Sequence, residues 1–112
     1  MDDRQFDAQV LETDGQSRIR MSGDLDSHAD EALGAAYRDA TEGETAGRAI
    51  TLDFRAVGYI NSTGIALIVR LLADARRDGR PVRAIGLTPH YQEIFRITRL
   101  SDFMDIIEGD AA

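Results

Sequence analysis

Cysteine is absent from this chain, which excludes disulfide bonds, thiolate metal sites and cysteine nucleophiles. Tryptophan is also absent and aromatic residues make up only 6%, so aliphatic side chains must fill the core. The longest purely apolar run, Ile65–Val69, is far shorter than the ~20 residues that a membrane-spanning helix needs. The acidic start, Met1-Asp2-Asp3, is unlike a signal peptide. We therefore expect a cytoplasmic protein without a membrane segment.

Basic residues are fewer than acidic ones, which gives a net charge of −7. A surface of that sign repels phosphate backbones and anionic lipid, so we expect neither nucleic acid nor membrane as a partner. With 112 residues, 43% of them hydrophobic, the chain suits a single domain over residues 1–112. Five arginines form a local cluster that we interpret as a solvated helix face and turn: Arg70, Arg76, Arg77, Arg80 and Arg83.

Alternating apolar and polar residues predict the strands. The segments Phe6–Thr13 and Ser17–Ser22 both alternate, and Asp14-Gly15 between them suits a tight turn, so a β-hairpin opens the chain. Three further strands are predicted at Ala49–Phe54, Val82–Leu87 and Met104–Ile107.

Apolar residues at helical spacing predict three helices. The first has Ser27 as its N-cap and ends near Gly43, followed by a loop over Glu42–Gly47. The second runs from about Ser62 to Asp78 and is stopped by Gly79. The third opens at Thr88-Pro89, where Thr88 is the cap, and is anchored by Ile94 and Phe95.

The resulting order, β-β-α-β-α-β-α-β, predicts an α/β fold. The opening hairpin makes the sheet mixed, and the alternation of helices and strands makes it mainly parallel, with four or five strands. Polar residues at alternate positions in several strands indicate that the helices lie mostly on one face.

The stretch Leu52–Ile65 carries the chemistry, because it joins a buried strand to a helix and places Asn61, Ser62 and Thr63 at the helix start. Two interpretations are open. The three side chains can cap unpaired N–H groups. Alternatively, Ser62 can accept a phosphate, since the N-terminus of a helix tolerates negative charge. The added charge would then alter partner binding without unfolding the domain.

Two motifs at this spacing carry a resemblance to a known family. The segment Ile60-Asn61-Ser62-Thr63-Gly64-Ile65, preceded by Gly23-Asp24-Leu25-Asp26, resembles the STAS-domain anti-sigma-factor antagonists of bacteria. The resemblance covers nearly the whole chain, including the order of elements. It implies a STAS-like fold and a non-enzymatic regulator that functions by partner switching.

The resemblance also implies site residues and partners. In that family the first serine of an Asp-Ser-Ser/Thr-Gly motif is phosphorylated, and this position falls on Ser62. The implied kinase is a GHKL-type serine-kinase anti-sigma factor, and the implied phosphatase is of the PP2C type. The unphosphorylated form is expected to bind the kinase and release its client. The implied partner-binding residues are Asp24, Asp26, Asn61, Ser62, Thr63 and Gly64.

Two departures from the family pattern support an alternative. Asn61 stands where many members have aspartate, which removes a charge beside Ser62. The chain also ends soon after Ile107, so the usual C-terminal helix is expected to be missing or very short. The alternative is a non-phosphorylated scaffold STAS domain in a signalling complex. Weak homodimerisation is a further open alternative. Nucleotide binding is a third hypothesis, although no Gly-rich phosphate loop is present.

Other candidate residues receive structural interpretations. Thr63 is the alternative phosphate acceptor, but a threonine at a helix start is usually structural. His28 and His90 are expected to be exposed residues in first helical turns, with no metal-site spacing. A hydrolase triad of Ser62, His90 and Asp53 is rejected because no Gly-x-Ser-x-Gly motif is present.

Three aspartates and a glycine near Ser62 in the predicted fold are the last candidate residues. Asp24, Asp26 and Asp53 lie near predicted strand ends, where carboxylates cap strands and aid solubility. Asp24 is best explained that way, whereas Asp26 is expected to lie beside Ser62. Gly64 is expected to allow close approach of backbone or partner at the helix start. No cofactor or metal is expected.

Overall fold

The computed structural model describes residues 5–13, 15–42 and 49–108. Within them lie five strands, three α-helices and two short 3₁₀ turns, the latter at Ser27–Ala29 and Leu100–Asp102. The strands are β1 Asp7–Thr13, β2 Gln16–Leu25, β3 Ile50–Ile60, β4 Val82–Ile85 and β5 Asp105–Ile106. The helices are α1 Asp30–Thr41, α2 Ser62–Arg77 and α3 Pro89–Ile97.

The strands form one mixed sheet in the order β1-β2-β3-β4-β5. The hairpin pair β1–β2 is antiparallel, and the other three pairs are parallel. Each helix connects a strand to its next neighbour in the same direction, and such crossovers are right-handed, so all three helices lie on one face. The predicted α/β order and one-sided helix layer are confirmed.

The core lies between that helix layer and the sheet. Ile19 and Met21 on β2 and Leu52 on β3 are fully buried at alternate positions along their strands. Phe54 and Phe95 meet edge to face with ring centroids 5.8 Å apart, which packs α3 against β3. The helix layer is also tied together by a hydrogen bond of 2.7 Å that the Tyr37 hydroxyl on α1 donates to Asp78 after α2.

Strand lengths differ most from prediction beside the candidate site. β3 continues to Ile60 instead of ending at Phe54, and β2 continues to Leu25 instead of Ser22. The two extensions pair with each other through two register shifts. This cross-strand pairing keeps residues 55–60 extended where a loop was predicted. β4 and β5 are shorter than predicted, because only Val82–Ile85 and Asp105–Ile106 pair with a neighbour.

Helix starts were predicted with mixed success. Thr88 caps α3 by accepting a hydrogen bond from the Tyr91 N–H, with Pro89 in the first turn, as expected. The prediction of Ser27 as the cap of the first helix was wrong. Asp26 accepts a bond of 3.0 Å from the His28 N–H and caps a 3₁₀ turn that precedes α1. Asp14 and most of the predicted loop Glu42–Gly47 lie outside the described residues.

Two charged residues are buried against expectation. Arg80 was predicted to be solvated, but it is 8% exposed and donates a 2.9 Å hydrogen bond to the Thr41 carbonyl oxygen. That bond lies at the C-terminal end of α1, where unpaired carbonyl groups favour a cation. Asp53 was placed near a strand end, but with β3 extended it lies in the middle of the strand and is 2% exposed.

Candidate functional site

The candidate site lies where β2 and β3 end side by side. Leu25 at the end of β2 pairs with Ile60 at the end of β3. The Asn61 N–H donates a hydrogen bond of 3.3 Å to the Leu25 carbonyl oxygen. Asn61 is the only residue between β3 and α2, so the strand leads into the helix with almost no loop.

Asn61 caps α2. Its side-chain oxygen Oδ1 accepts a 2.8 Å hydrogen bond from the Gly64 N–H, and its backbone carbonyl accepts a 2.9 Å bond from the Ile65 N–H. These two bonds fix the first turn of the helix. Of the three polar residues that sequence analysis placed at the helix start, Asn61 therefore has the capping role.

We expect that replacing Asn61 with alanine lowers the free energy of unfolding by about 1 kcal/mol, because the Gly64 N–H loses its acceptor. Urea denaturation followed by circular dichroism measures this loss. Asn61→Asp is the matched control and should unfold near the wild-type midpoint, because aspartate caps a helix as well as asparagine does. Equal losses in both variants would contradict a capping role.

Gly64 allows the helix to start against the end of β2. A β-carbon at this position would overlap the carbonyl oxygen of Leu25, lie 2.8 Å from its carbonyl carbon and lie 3.2 Å from Cγ2 of Ile60. Gly64 is buried in the first turn of α2. The close approach expected from the sequence is therefore made to the backbone of β2.

Ser62 and Thr63 are exposed in the first turn of α2. The first N–H groups of a helix have no intrahelical acceptor, and the helix dipole places partial positive charge there. Backbone contacts hold Asn61 on one side of the two hydroxyl residues, and tight packing holds Gly64 on the other. The result is an exposed pair of hydroxyl residues on a frame formed by Asn61 and Gly64.

Tyr91 on α3 supports this frame and was missed by sequence reasoning. Its hydroxyl oxygen accepts a 2.9 Å hydrogen bond from the Ile60 N–H. Tyr91 lies 31 residues beyond Ile60, so no local pattern relates the two. The bond links the start of α3 to the residue just before Asn61.

Asp24 and Asp26 lie at the same end of the sheet. Asp24 is opposite Tyr59 in the register of β2 and β3, and its Oδ1 is buried. Asp26 follows Leu25 directly, with its side chain 30% exposed and 3.5 Å from Nδ1 of His28. Contact between Asp26 and Ser62 stays a prediction.

The remaining candidates are His28, His90 and Asp53. His28 and His90 are exposed, as predicted. Asp53 is bound to Arg55 within β3 by hydrogen bonds as short as 2.8 Å. Within residues 5–13, 15–42 and 49–108, no three acidic or histidine side chains gather as metal ligands would. None of the helices described here is long and apolar enough to cross a bilayer.

Comparison with known proteins gives one family match over nearly the whole chain. A family model described as "Mlab, STAS domain" matches residues 8–108. The chain is also 27% identical over 106 residues to an anti-sigma-B factor antagonist of Staphylococcus aureus strain NCTC 8325 / PS 47. That alignment covers 88% of this chain and 93% of the relative.

Solved structures share the fold. The phosphorylated form of SpoIIAA, a Bacillus cell fate determinant, superposes with a TM-score of 0.65 at 22% identity, covering 90% of this chain and 91% of that one. An anti-sigma factor antagonist from Mycobacterium paratuberculosis has a TM-score of 0.72 at 21% identity, covering 93% of this chain and 86% of that one.

Proposed function

This chain belongs to the STAS-domain family, and from that membership we propose that it acts as an anti-sigma factor antagonist whose binding is controlled by phosphorylation of Ser62. The 27% identical relative in Staphylococcus aureus is an anti-sigma-B factor antagonist. The proposed function is binding, without catalysis, in the cytoplasm.

The exposure of Ser62 in the first turn of α2 is the observation that carries the proposal. A kinase can reach an exposed hydroxyl without unfolding the domain. A phosphate there would add about −1.5 to −2 charges at pH 7 next to unpaired N–H groups and the positive end of the helix dipole. The fold tolerates such a modification, so its effect falls on whatever binds the surface.

A phosphate on Ser62 would weaken binding of a partner that covers this residue, because the phosphate must lose its water in the complex. Removing a charged group from water costs several kcal/mol unless a counter-charge meets it. Asp24 and Asp26 are at the same end of the sheet, and their carboxylates have the same sign as the phosphate. A partner that covers this end of the sheet would meet the phosphate together with two carboxylates of the same sign.

We assign the partner by family resemblance as a GHKL-type serine-kinase anti-sigma factor, which both phosphorylates and binds the chain. A PP2C-type phosphatase removes the phosphate. Asp24, Asp26, Asn61, Ser62, Thr63 and Gly64 form the proposed partner surface. Thr63 is the alternative acceptor, because it is exposed in the same turn.

The asparagine at position 61, where many family members have aspartate, favours a second candidate function. This is a scaffold STAS domain that is never phosphorylated. The capping bond of Asn61 to Gly64 is one that aspartate would make equally well. The replacement therefore leaves the fold unchanged and removes only a charge beside Ser62. A kinase that binds the aspartate carboxylate at this position in other family members would bind this chain less well.

Mass spectrometry of the protein isolated from its own cells at several growth stages tests the proposal. We expect a phosphate that maps to Ser62 in wild type and in the Thr63→Ala control, and that is absent in Ser62→Ala. A phosphate retained in Ser62→Ala and lost in Thr63→Ala would move the site to Thr63. Absence of phosphate at every stage, with the protein running as an oligomer, would establish the scaffold.

A further inference from the structure

Arginines gather on the face of the sheet that has no helices. Arg18 on β2 pairs in register with Thr51 on β3, which pairs with Arg83 on β4. Two residues further along β2, Arg20 pairs with Asp53 on β3. Neighbours across a sheet point to the same face, and these positions alternate with the buried ones that face the helices. The Arg55 guanidinium joins them, because it is bonded to the Asp53 carboxylate. We call this set the arginine face: Arg18, Arg20, Arg55 and Arg83.

Asp53 holds Arg55 in place within the arginine face. The Asp53 carboxylate accepts hydrogen bonds from the backbone N–H and from Nε and Nη2 of Arg55, the shortest being 2.8 Å. Burial alone would raise the pKa of Asp53, but the bonds from Arg55 and the charges of Arg55 and Arg18 outweigh it and lower that pKa. Asp53 is therefore charged at neutral pH, and the Arg55 guanidinium is preorganised while its side chain stays 53% exposed.

The charge of this face is opposite to that of the whole chain. The net charge is −7, yet four of the thirteen basic residues occupy the three central strands of one face. Arg20 and Arg83 are exposed there. Among the acids that share the face by register, Asp53 on β3 offsets the charge of Arg55, to which it is bonded, and leaves an excess of three arginines at the centre. Asp7 and Asp105 lie on the outer strands β1 and β5. The centre of the face is thus basic and its margins are acidic.

We propose that the arginine face is a second docking surface, which binds an acidic polypeptide segment of a partner protein and is separate from the Ser62 surface. The chain has no lysine, and the planar fork of N–H donors on arginine matches a carboxylate. Arg18 and Arg83 are two strand spacings apart, or about 10 Å, and Arg18 and Arg20 are about 7 Å apart along β2.

The size of the face favours a polypeptide over other polyanions. A patch of that size accommodates a few carboxylates of an extended segment, whose side chains alternate at a similar spacing. Duplex nucleic acid and anionic membranes present charge over much larger areas. They would bring phosphates close to the acidic remainder of a chain of net charge −7, which repels them.

Titration with a labelled peptide that carries glutamate at alternate positions tests the proposal, with fluorescence anisotropy and amide shift mapping of the full chain. Binding should weaken with salt, and the shifts should centre on Arg18, Arg20, Thr51 and Arg83. The double change Arg20→Gln with Arg83→Gln should weaken binding about tenfold, roughly 1.4 kcal/mol.

The matched control is Arg38→Gln with Arg96→Gln, which removes the same charge from the exposed surfaces of α1 and α3. It should weaken binding less than about twofold, and both double variants should keep the wild-type melting temperature. Equal weakening by the control pair, or shifts confined to the helices, would overturn the proposal. So would tighter binding of an oligonucleotide or of phosphatidylserine vesicles than of the peptide.

Discussion

Gly64→Ala is expected to lower the free energy of unfolding by about 3 kcal/mol and the melting temperature by about 10 °C. The added methyl group would overlap the Leu25 carbonyl oxygen, which belongs to the backbone of β2 and cannot rotate away. Either α2 shifts outward or the end of β2 does, and both movements break the bond from Asn61 to Leu25. Thermal and urea denaturation measure the loss.

Gly34 supplies a matched control because it is also a helical glycine. A β-carbon at Gly34 in α1 would meet only Nη1 of Arg38, at 3.6 Å, an ordinary contact with the end of a flexible side chain. Gly34→Ala should therefore raise the free energy of unfolding by about 0.5–1 kcal/mol, as alanine favours the helical state. The two alanine substitutions should change stability in opposite directions. A shift of the same sign and size in both would show that the packing at Gly64 is not tight.

Ser62→Asp is expected to weaken binding of the anti-sigma factor about 100-fold, while the melting temperature stays within about 2 °C of wild type. An added carboxylate in the first turn of α2 suits the helix dipole and is solvated in the free protein. In the complex it must be desolvated, and a cost of about 3 kcal/mol corresponds to a factor of more than 100 in affinity. Isothermal titration calorimetry with the purified partner measures the effect.

Two controls separate the position of the charge from its presence. Ser62→Ala removes only the hydroxyl and should bind within about threefold of wild type, because no charge is buried. Ala35→Asp adds the same charge on the exposed surface of α1 and should also leave binding nearly unchanged. Equal affinities for Ser62→Ala and Ser62→Asp would exclude a charge-controlled interface at this position.

The helix start at Ser62 was predicted from local signals. Polar residues precede an apolar stripe and Gly79 follows its end, so α2 was placed to within one residue. Gly79 has the positive φ, 71°, that suits a glycine after a helix. The exposure of Ser62 and the need for a small residue at Gly64 also followed from position in the first turn. Short-range chemistry determines these features, because caps and helical spacing depend on residues only a few positions apart.

The strand extensions escaped prediction because they depend on pairing. Residues 55–60 contain Arg55 and Gly58, which weaken any local strand pattern, and they are extended because β2 pairs with them through register shifts. The same extension moved Asp53 from a strand end to mid-strand, beside Arg55. Strand propensity is weak, and hydrogen bonding between neighbouring strands overrides it.

The sequence by itself determined the order of elements, the helix that begins at Ser62, and the net charge of −7. Only the tertiary structure decided that Asn61 contacts Leu25, that Tyr91 accepts a bond from Ile60, and that arginines from three strands share one face. The physical reason is distance along the chain. Caps and amphipathic stripes form between near neighbours, whereas these contacts join residues brought together only when the strands align into a sheet.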